Sequence, residues 1–353
     1  MAEHDSSETK RDEARGGASS EVLLEVLEGC REDAAREASA LGAVQVLSPT
    51  ELRLHTDDLA GCRTLRRVVT ASLVSAHPAR RPRELLATPV QQQLDTQLQR
   101  ILTLRPRVRF SGVRIEAAGA DSPDMRRLAE AIGDLTGLPV VEDGDLRVRV
   151  RPRPGEHGRW EMLLRLTPRP LSARAWRTID YPGAVNATIA ASVLDRLQVG
   201  ADDVLLDPTC GSGTFLIEQL HDVAPRRTVG VDLSATAIDA AQQHQRAARR
   251  RGRIDWIVGD AREVTLENGV SRVVMNPPWG MLHGEHGETE ALYRDLLERM
   301  AQLCVPGARL ALLTQEVRRT RALIDDAPAG WRMLSEHRYF QKGHRPALFL
   351  LER

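Results

Sequence analysis

One change of rhythm constrains this chain more than any other feature. From about Gln198 onward, short apolar runs alternate with helical segments. The runs are Val204–Leu206, Thr228–Val231, Ile254–Val258, Arg272–Met275 and Arg309–Leu313, and helical periodicity fills Thr214–Asp222, Ala235–Arg251 and Glu288–Leu303. A fully apolar run of four or five residues suits a strand covered on both faces, and strand–helix repetition predicts a mostly parallel, doubly wound α/β sheet. The last two runs, Trp331–Arg338 and Ala347–Leu351, are joined by Gln-Lys-Gly-His-Arg-Pro and suit a closing antiparallel hairpin. In an open sheet of this kind, ligands bind at the carboxyl ends of the strands, so the residues that end each run are the first to inspect.

The first half reads differently. Ser20–Ala40 has helical spacing, with Val22, Leu23, Val26, Leu27 and Cys30 on one face, and Gly61–Ser75 has it again. Ala43–Leu47 and Glu51–His55 read as short strands, and the Pro78–Pro82 string breaks the pattern near Arg83. Beyond it come a helical segment at Glu84–Leu104, an alternating strand at Arg107–Ile115, a helix at Ser122–Thr136, and strands at Leu146–Val150 and Trp160–Leu166. The resulting division is a tail over 1–19, α+β units over 20–83 and 84–170, and the α/β domain over 171–353.

Charge sharpens this division. Lysine is nearly absent, and the 49 basic and 49 acidic side chains balance. Yet eleven Arg between Gly61 and Ile115 meet only Glu84 and Asp95, and nine between Arg147 and Arg177 meet only Glu156 and Glu161. Alternation in Arg147-Val-Arg-Val-Arg151 puts Arg on one face of its strand and Val on the other, which predicts a sheet with one wet, basic side. Such a side suits a polyanion, and it equally suits plain solvation. The four cysteines are widely spaced with no Cys-x-x-Cys pair, so neither a disulfide framework nor a metal site is expected. No stretch approaches the roughly 18 apolar residues of a membrane span, and the polar first twenty residues lack the apolar core of a signal peptide. They read as a disordered tail, and the expected location is cytoplasmic.

Four groups of residues end the strands of the α/β half. Asp207-Pro-Thr-Cys-Gly211-Ser-Gly213 joins the first strand to a helix, and its glycines let a ligand approach the backbone closely. It matches neither Gly-x-Gly-x-x-Gly nor a Walker loop. Asp232 follows 25 residues after Asp207 and could accept from a ribose diol, or simply cap the next helix. Asp260, in Val258-Gly-Asp-Ala261, could accept from an adenine amino group, or serve its own turn. In Asn276-Pro277-Pro278-Trp279 two prolines remove amide donors and leave acceptors, the Asn276 side-chain oxygen and the Pro277 carbonyl; Trp279 offers a flat face for a base. The alternative is an ordinary loop with a buried Trp.

Taken in order, Asp-Pro-Thr-Cys-Gly-Ser-Gly-Thr-Phe, Gly-Val-Asp and Asn-Pro-Pro-Trp-Gly resemble the methyltransferase domain of the RNA guanine-N2 methyltransferases that carry a THUMP domain. Leu171–Thr178 and Tyr181–Ala191 resemble that family's link into the catalytic domain. The resemblance implies a Rossmann-like class I methyltransferase domain preceded by ferredoxin-like and THUMP-like units. It implies S-adenosyl-L-methionine held by Asp207, Pro208, Cys210, Gly211, Gly213, Asp232, Asp260 and Ala261, with Asn186 from the link. It implies that Asn276, Pro277, Pro278 and Trp279 hold a target amine; the family more often places Tyr, Phe or His where Trp279 stands. The expected reaction is methylation of a guanosine exocyclic amine in structured RNA, tRNA first. The alternatives are adenine N6, an rRNA guanosine, or RNA binding without catalysis.

Overall fold

The structure is a computed structural model, and it describes residues 19–104, 109–266, 269–278, 286–326, 328–341 and 343–353. The expected tail over 1–19, apart from its last residue, Arg107 and Trp279 lie outside the described residues. The chain divides into two compact units. The first takes residues up to 25, 35–65 and 70–170; the second takes 26–34, 66–69 and 171–353.

The first unit is built on one seven-stranded sheet, β1 (Ser20–Glu25), β2 (Ala43–Ser48), β3 (Glu51–Thr56), β4 (Thr70–Pro78), β5 (Val113–Ala117), β6 (Leu146–Pro152) and β7 (Arg159–Arg165), in the order β2-β3-β1-β4-β7-β6-β5. Helices α1 (Arg31–Ser39) and α2 (Leu59–Cys62) precede β4, and α3 (Thr88–Thr103) and α4 (Pro123–Thr136) follow it. The sequence reading puts a boundary near residue 83, yet β4 and β7 pair antiparallel across it, Ser72 to Pro78 against Arg165 to Arg159. Two expected helical segments are strands in part, although Arg31–Ser39 of the first is helix α1. Val22–Leu24 lie in β1, flanked by β3 and β4, and Thr70–Ser75 lie in β4, flanked by β1 and β7. Both are central strands, almost continuously buried, and a run buried on both faces has no period of two to betray it.

The basic face expected of this sheet is corrected by the structure. The Arg side chains do share a face, but carboxylates from neighbouring strands occupy it too. Arg147 meets Glu116 at 2.6 Å, Arg149 pairs with Glu25, and Arg151 meets Glu51 at 2.7 Å and Glu161 at 2.8 Å. Arg153 meets Glu21 at 3.1 Å and Glu156 at 2.6 Å, and Arg53 meets Glu21 at 2.6 Å. Four of the six acids, Glu21, Glu25, Glu51 and Glu116, come from β1, β3 and β5, outside the stretch from Arg147 to Arg177, so the local count of charges there misses them. This face is a mixed-charge network.

The second unit is the expected doubly wound sheet. Its strands are β8 (Val204–Asp207), β9 (Arg227–Asp232), β10 (Asp255–Val258), β11 (Val270–Met275), β12 (Cys304–Thr314), β13 (Arg332–Arg338) and β14 (Ala347–Glu352), in the order β10-β9-β8-β11-β12-β14-β13. β8 to β12 are parallel, and β14 lies antiparallel between β12 and β13. One face is covered by α8 (His286–Leu303) and α9 (Val317–Asp325), through Leu296, Leu297, Met300, Leu323 and Ile324. The other is covered by α5 (Ala187–Leu197), α6 (Thr214–Asp222) and α7 (Ala235–Ala248), through Val193, Leu197, Phe215, Ile217 and Ile238. The order reverses between β8 and β9 on one side and β11 on the other, which opens a crevice at the carboxyl ends.

Two early segments complete this unit. Asp33, fully buried, accepts from Arg196 Nε at 2.9 Å and from the Ser192 hydroxyl. Glu218, also buried, is held by Arg66 and by Arg174 Nε at 3.0 Å. Burial pushes its carboxyl up, but the two guanidiniums outweigh that and hold it below its ordinary value.

Candidate active site

The turn from β8 to α6 is set by two glycines in the left-handed region, Gly211 at φ +51° and Gly213 at φ +80°. Their surroundings differ. A Cβ on Gly213 would stand 2.6 Å from the Trp256 ring, and one on Gly230 would meet the same ring at 2.6 Å. These two glycines make room for a tryptophan. Only Gly211 faces open space, with Tyr181 Cε1 the nearest atom at 3.9 Å. Of the two loop glycines expected to admit a ligand, Gly211 has open space beside it and Gly213 is closed off by Trp256 and Ala241.

Asp232, which ends β9, ties this loop to the next. Its carboxylate accepts from Gly211 N at 2.8 Å and from Ser234 N at 2.9 Å. Ser234, not Asp232, caps α7, through Ala237 N at 3.2 Å. Two N–H donors leave lone pairs free on the carboxylate. Leu233, the next residue, is 72% exposed, and Val258, paired with Asp232 in register, is 53% exposed. Large apolar side chains standing free beside a polar strand end make a surface on which a flat ring can lie.

Asp207 is buried and accepts from Thr209 N at 3.1 Å. Burial drives its carboxyl well above the ordinary value, and the nearby Asp232 charge adds to this, against the Thr209 amide. Pro208 is buried beneath it. Cys210 is structural: its N–H donates to Val231 O at 2.9 Å, its carbonyl accepts from Gly213 N at 2.8 Å, and burial raises its thiol far above reactivity. Thr209 Oγ1 and Ser212 Oγ are buried in the same loop without a hydrogen-bond partner.

The remaining expected cofactor residues also make contacts within the chain. The Asp260 carboxylate is clasped by Arg262, Nε at 3.0 Å and NH2 at 2.6 Å, and this bond holds it below its ordinary value. Ala261 is buried in the core. Asn186 Oδ1 accepts from Thr188 N at 2.8 Å and so caps α5.

At the end of β11 stands Asn276, whose Oδ1 is buried with no hydrogen-bond partner among the described residues. Pro277, buried, and Pro278, exposed, follow it. The adjoining strand β12 runs parallel, with Met275 opposite Leu312, and just past its end Gln315 Nε2 is also buried without a partner. An unpaired acceptor and an unpaired donor thus lie at neighbouring strand ends. Burying either without a partner costs about 1–3 kcal/mol, so a group that completes both is strongly favoured there.

Sequence reasoning missed Leu233, Thr209, Ser212 and Gln315. Leu233 had a signal, its place directly after Asp232. The other three are marked only by burial without a partner, which no spacing reveals.

The family model described as RMKL-like, methyltransferase domain (UPF0020) matches residues 174–347. The tRNA (guanine(6)-N2)-methyltransferase of Thermus thermophilus is 32% identical over 239 residues, 66% of this chain and 68% of that one. The tRNA (guanine(10)-N2)-dimethyltransferase of Methanothermobacter thermautotrophicus is 28% identical over 172 residues, and the chain spans only about half its length, 48%. The crystal structure of TrmN from Thermus thermophilus superposes with a TM-score of 0.71 at 24% identity, covering 95% of this chain and 99% of that one.

Proposed function

We propose a function from one premise: the chain belongs to the RMKL-like methyltransferase family, together with the Thermus tRNA guanine-N2 methyltransferase. It transfers a methyl group from S-adenosyl-L-methionine to the exocyclic amine of a guanosine in structured RNA, tRNA in the first instance. The observation that carries this is the buried, unpartnered Oδ1 of Asn276 beside two prolines.

An exocyclic guanine amine brings two N–H donors. Asn276 Oδ1 takes one and the Pro277 carbonyl takes the other, while no amide N–H from Pro277 or Pro278 competes. With both protons held, the amine faces one direction, and fixing that direction supplies most of the rate enhancement such a site can give. Gln315 Nε2 donates to a ring acceptor of the same base. The base leaves its stack to reach a crevice at strand ends, and Trp279 serves as its stacking surface.

The residues present fit the cofactor. Gly211 leaves room above the loop, the Thr209 and Ser212 hydroxyls lack partners, and Asp232 keeps lone pairs for a ribose diol. Asp207, without a counter-cation, suits a positively charged ligand. Leu233 and Val258 flank the place of an adenine ring. When bound, the cofactor supplies a methyl group already activated by its cationic sulfur. RNA is gripped by residues 20–170 in a THUMP-like manner, but not through the Arg147–Arg153 face, whose charges are paired.

The test is nucleoside mass spectrometry of a tRNA transcript incubated with the full chain and methyl-labelled cofactor. N2-methylguanosine is the expected product. Label in N6-methyladenosine, or in no nucleoside, would overturn the proposal.

A further inference from the structure

A cavity lies away from the strand ends just discussed. It measures about 530 Å³ and is lined by Val204, Arg226, Arg227, Thr228, Arg253 and Asp255. Val204, Arg227 and Asp255 are the first residues of β8, β9 and β10, so the cavity opens on the amino edge of the parallel sheet. Arg227 and Asp232 bound the same strand, which sets this cavity about 16 Å from the carboxyl edge at ~3.3 Å per residue.

Three arginines and one carboxylate line it. Asp255 meets Arg253 at 2.9 Å and Arg227 at 3.3 Å, and Arg226 makes no ion pair among the described residues. Arg253 remains 91% exposed despite its contact. Arg249, Arg250 and Arg251 follow α7 in sequence just before Arg253, also without an ion pair among the described residues. Arg249 holds φ +50°, a conformation in which glycine is the unstrained choice. Thr228 is buried, and its Oγ1 has no hydrogen-bond partner. The excess of arginine forks, the exposed rim and an unsatisfied buried hydroxyl all suit one ligand chemistry, the phosphate group.

We propose that this cavity is an anion site that takes backbone phosphates of the RNA substrate at the sheet edge opposite the methyl-transfer centre. It rests on the RNA reading above and extends it. An RNA long enough to present a base at one edge can lay its backbone along the other, and the site would fix orientation with no sequence reading.

The test uses the full chain and a tRNA transcript, with affinity measured at several salt concentrations by fluorescence anisotropy. Arg226→Ala with Arg253→Ala should weaken binding at least about 10-fold and reduce the slope of log affinity against log salt by about two. Affinity for S-adenosylhomocysteine should not change. Asp255→Asn should strengthen tRNA binding, because it removes the carboxylate that Arg253 meets; a purely structural role for the cluster predicts no such gain. Wild-type binding matched by both variants in affinity and slope would overturn the site. Loss confined to inorganic triphosphate, with tRNA binding intact, would make it a free-anion site and overturn the RNA assignment. A wild-type chain that binds no structured RNA overturns the function proposed above as well, and methylation of another base leaves the anion site standing.

Discussion

The two edges of the second sheet carry opposite chemistry. At the carboxyl edge stand Asp207, Asp232 and Asp260, with the unpaired amide oxygen of Asn276. At the amino edge stand Arg226, Arg227 and Arg253, with one carboxylate among them. Acceptors and buried acids suit a cation and an amine, whereas exposed guanidiniums suit phosphate. One sheet can thus bind two parts of a composite substrate without either site disturbing the other, since each rests on different ends of the same strands. The Arg face of the first sheet is a useful contrast. It has more arginines than the amino edge, but Glu21, Glu25, Glu51, Glu116, Glu156 and Glu161 are paired with them. A count of arginines therefore locates no binding site until their partners are known.

The separation of edges is most severely tested by Asn276→Ala. Turnover should fall by about 10³-fold or more, the size typical of losing a group that acts only on the reacting centre. Affinities for S-adenosylhomocysteine and for tRNA should stay within about twofold by the same logic. Single-turnover kinetics with parallel calorimetry reads all three, and an active variant would remove Asn276 from the mechanism.

Asp232→Ala should come next. It removes a carboxylate proposed to receive a ribose diol, at a cost of about 1.5–3 kcal/mol, which is roughly a 10- to 150-fold loss in cofactor affinity. It also frees Gly211 N and Ser234 N, so the melting temperature should drop slightly. Calorimetry with S-adenosylhomocysteine would show an unchanged affinity if the diol lies elsewhere.

Asp207→Asn separates charge from shape at the same edge. The folded protein raises this carboxyl above its ordinary 3.8, so between that value and the raised one the folded state holds a proton that the unfolded state has lost. Stability from this group is therefore full below the ordinary value and is lost as pH rises. The ligand-free wild type should lose stability relative to Asp207→Asn on going from acid to neutral pH, while the variant binds S-adenosylhomocysteine more weakly. Denaturant melts at several pH values test the first half. Parallel curves for the two proteins would mean that Asp207 is not an uncompensated acid.

The smallest effect should come from the spent arginines. Arg147→Ala with Arg149→Ala removes pairs that are partly exposed on both sides and worth about 1 kcal/mol or less each. Thermal stability should dip, and the salt dependence of tRNA binding should keep its slope, unlike that of the amino-edge variants. A shallower slope would return the first sheet's Arg face to the list of phosphate contacts.

Strand–helix alternation from Val204 onward was legible because each buried parallel strand is a short apolar island and each helix has its own period. The residues that end those strands were legible for the same reason: Asp207, Asp232 and Asn276 follow the islands directly, and topology puts strand ends together. Local pattern failed at β1 and β4, where burial on both faces erases alternation, and at α5 and α9, for which the sequence reading proposed no helix. It also could not tell that Gly213 and Gly230 make room for Trp256, that Asn186 caps α5, or that Arg147–Arg153 are matched by glutamates up to 132 residues away. Nor could it recruit Asp33 and Arg66 to the second unit, where they meet Arg196 and Glu218. Periodicity and strand-end motifs depend on neighbours in sequence, so the chain alone determines them. Charge pairing, glycine clearance and unsatisfied hydrogen bonds depend on neighbours in space, and only the tertiary structure decides them.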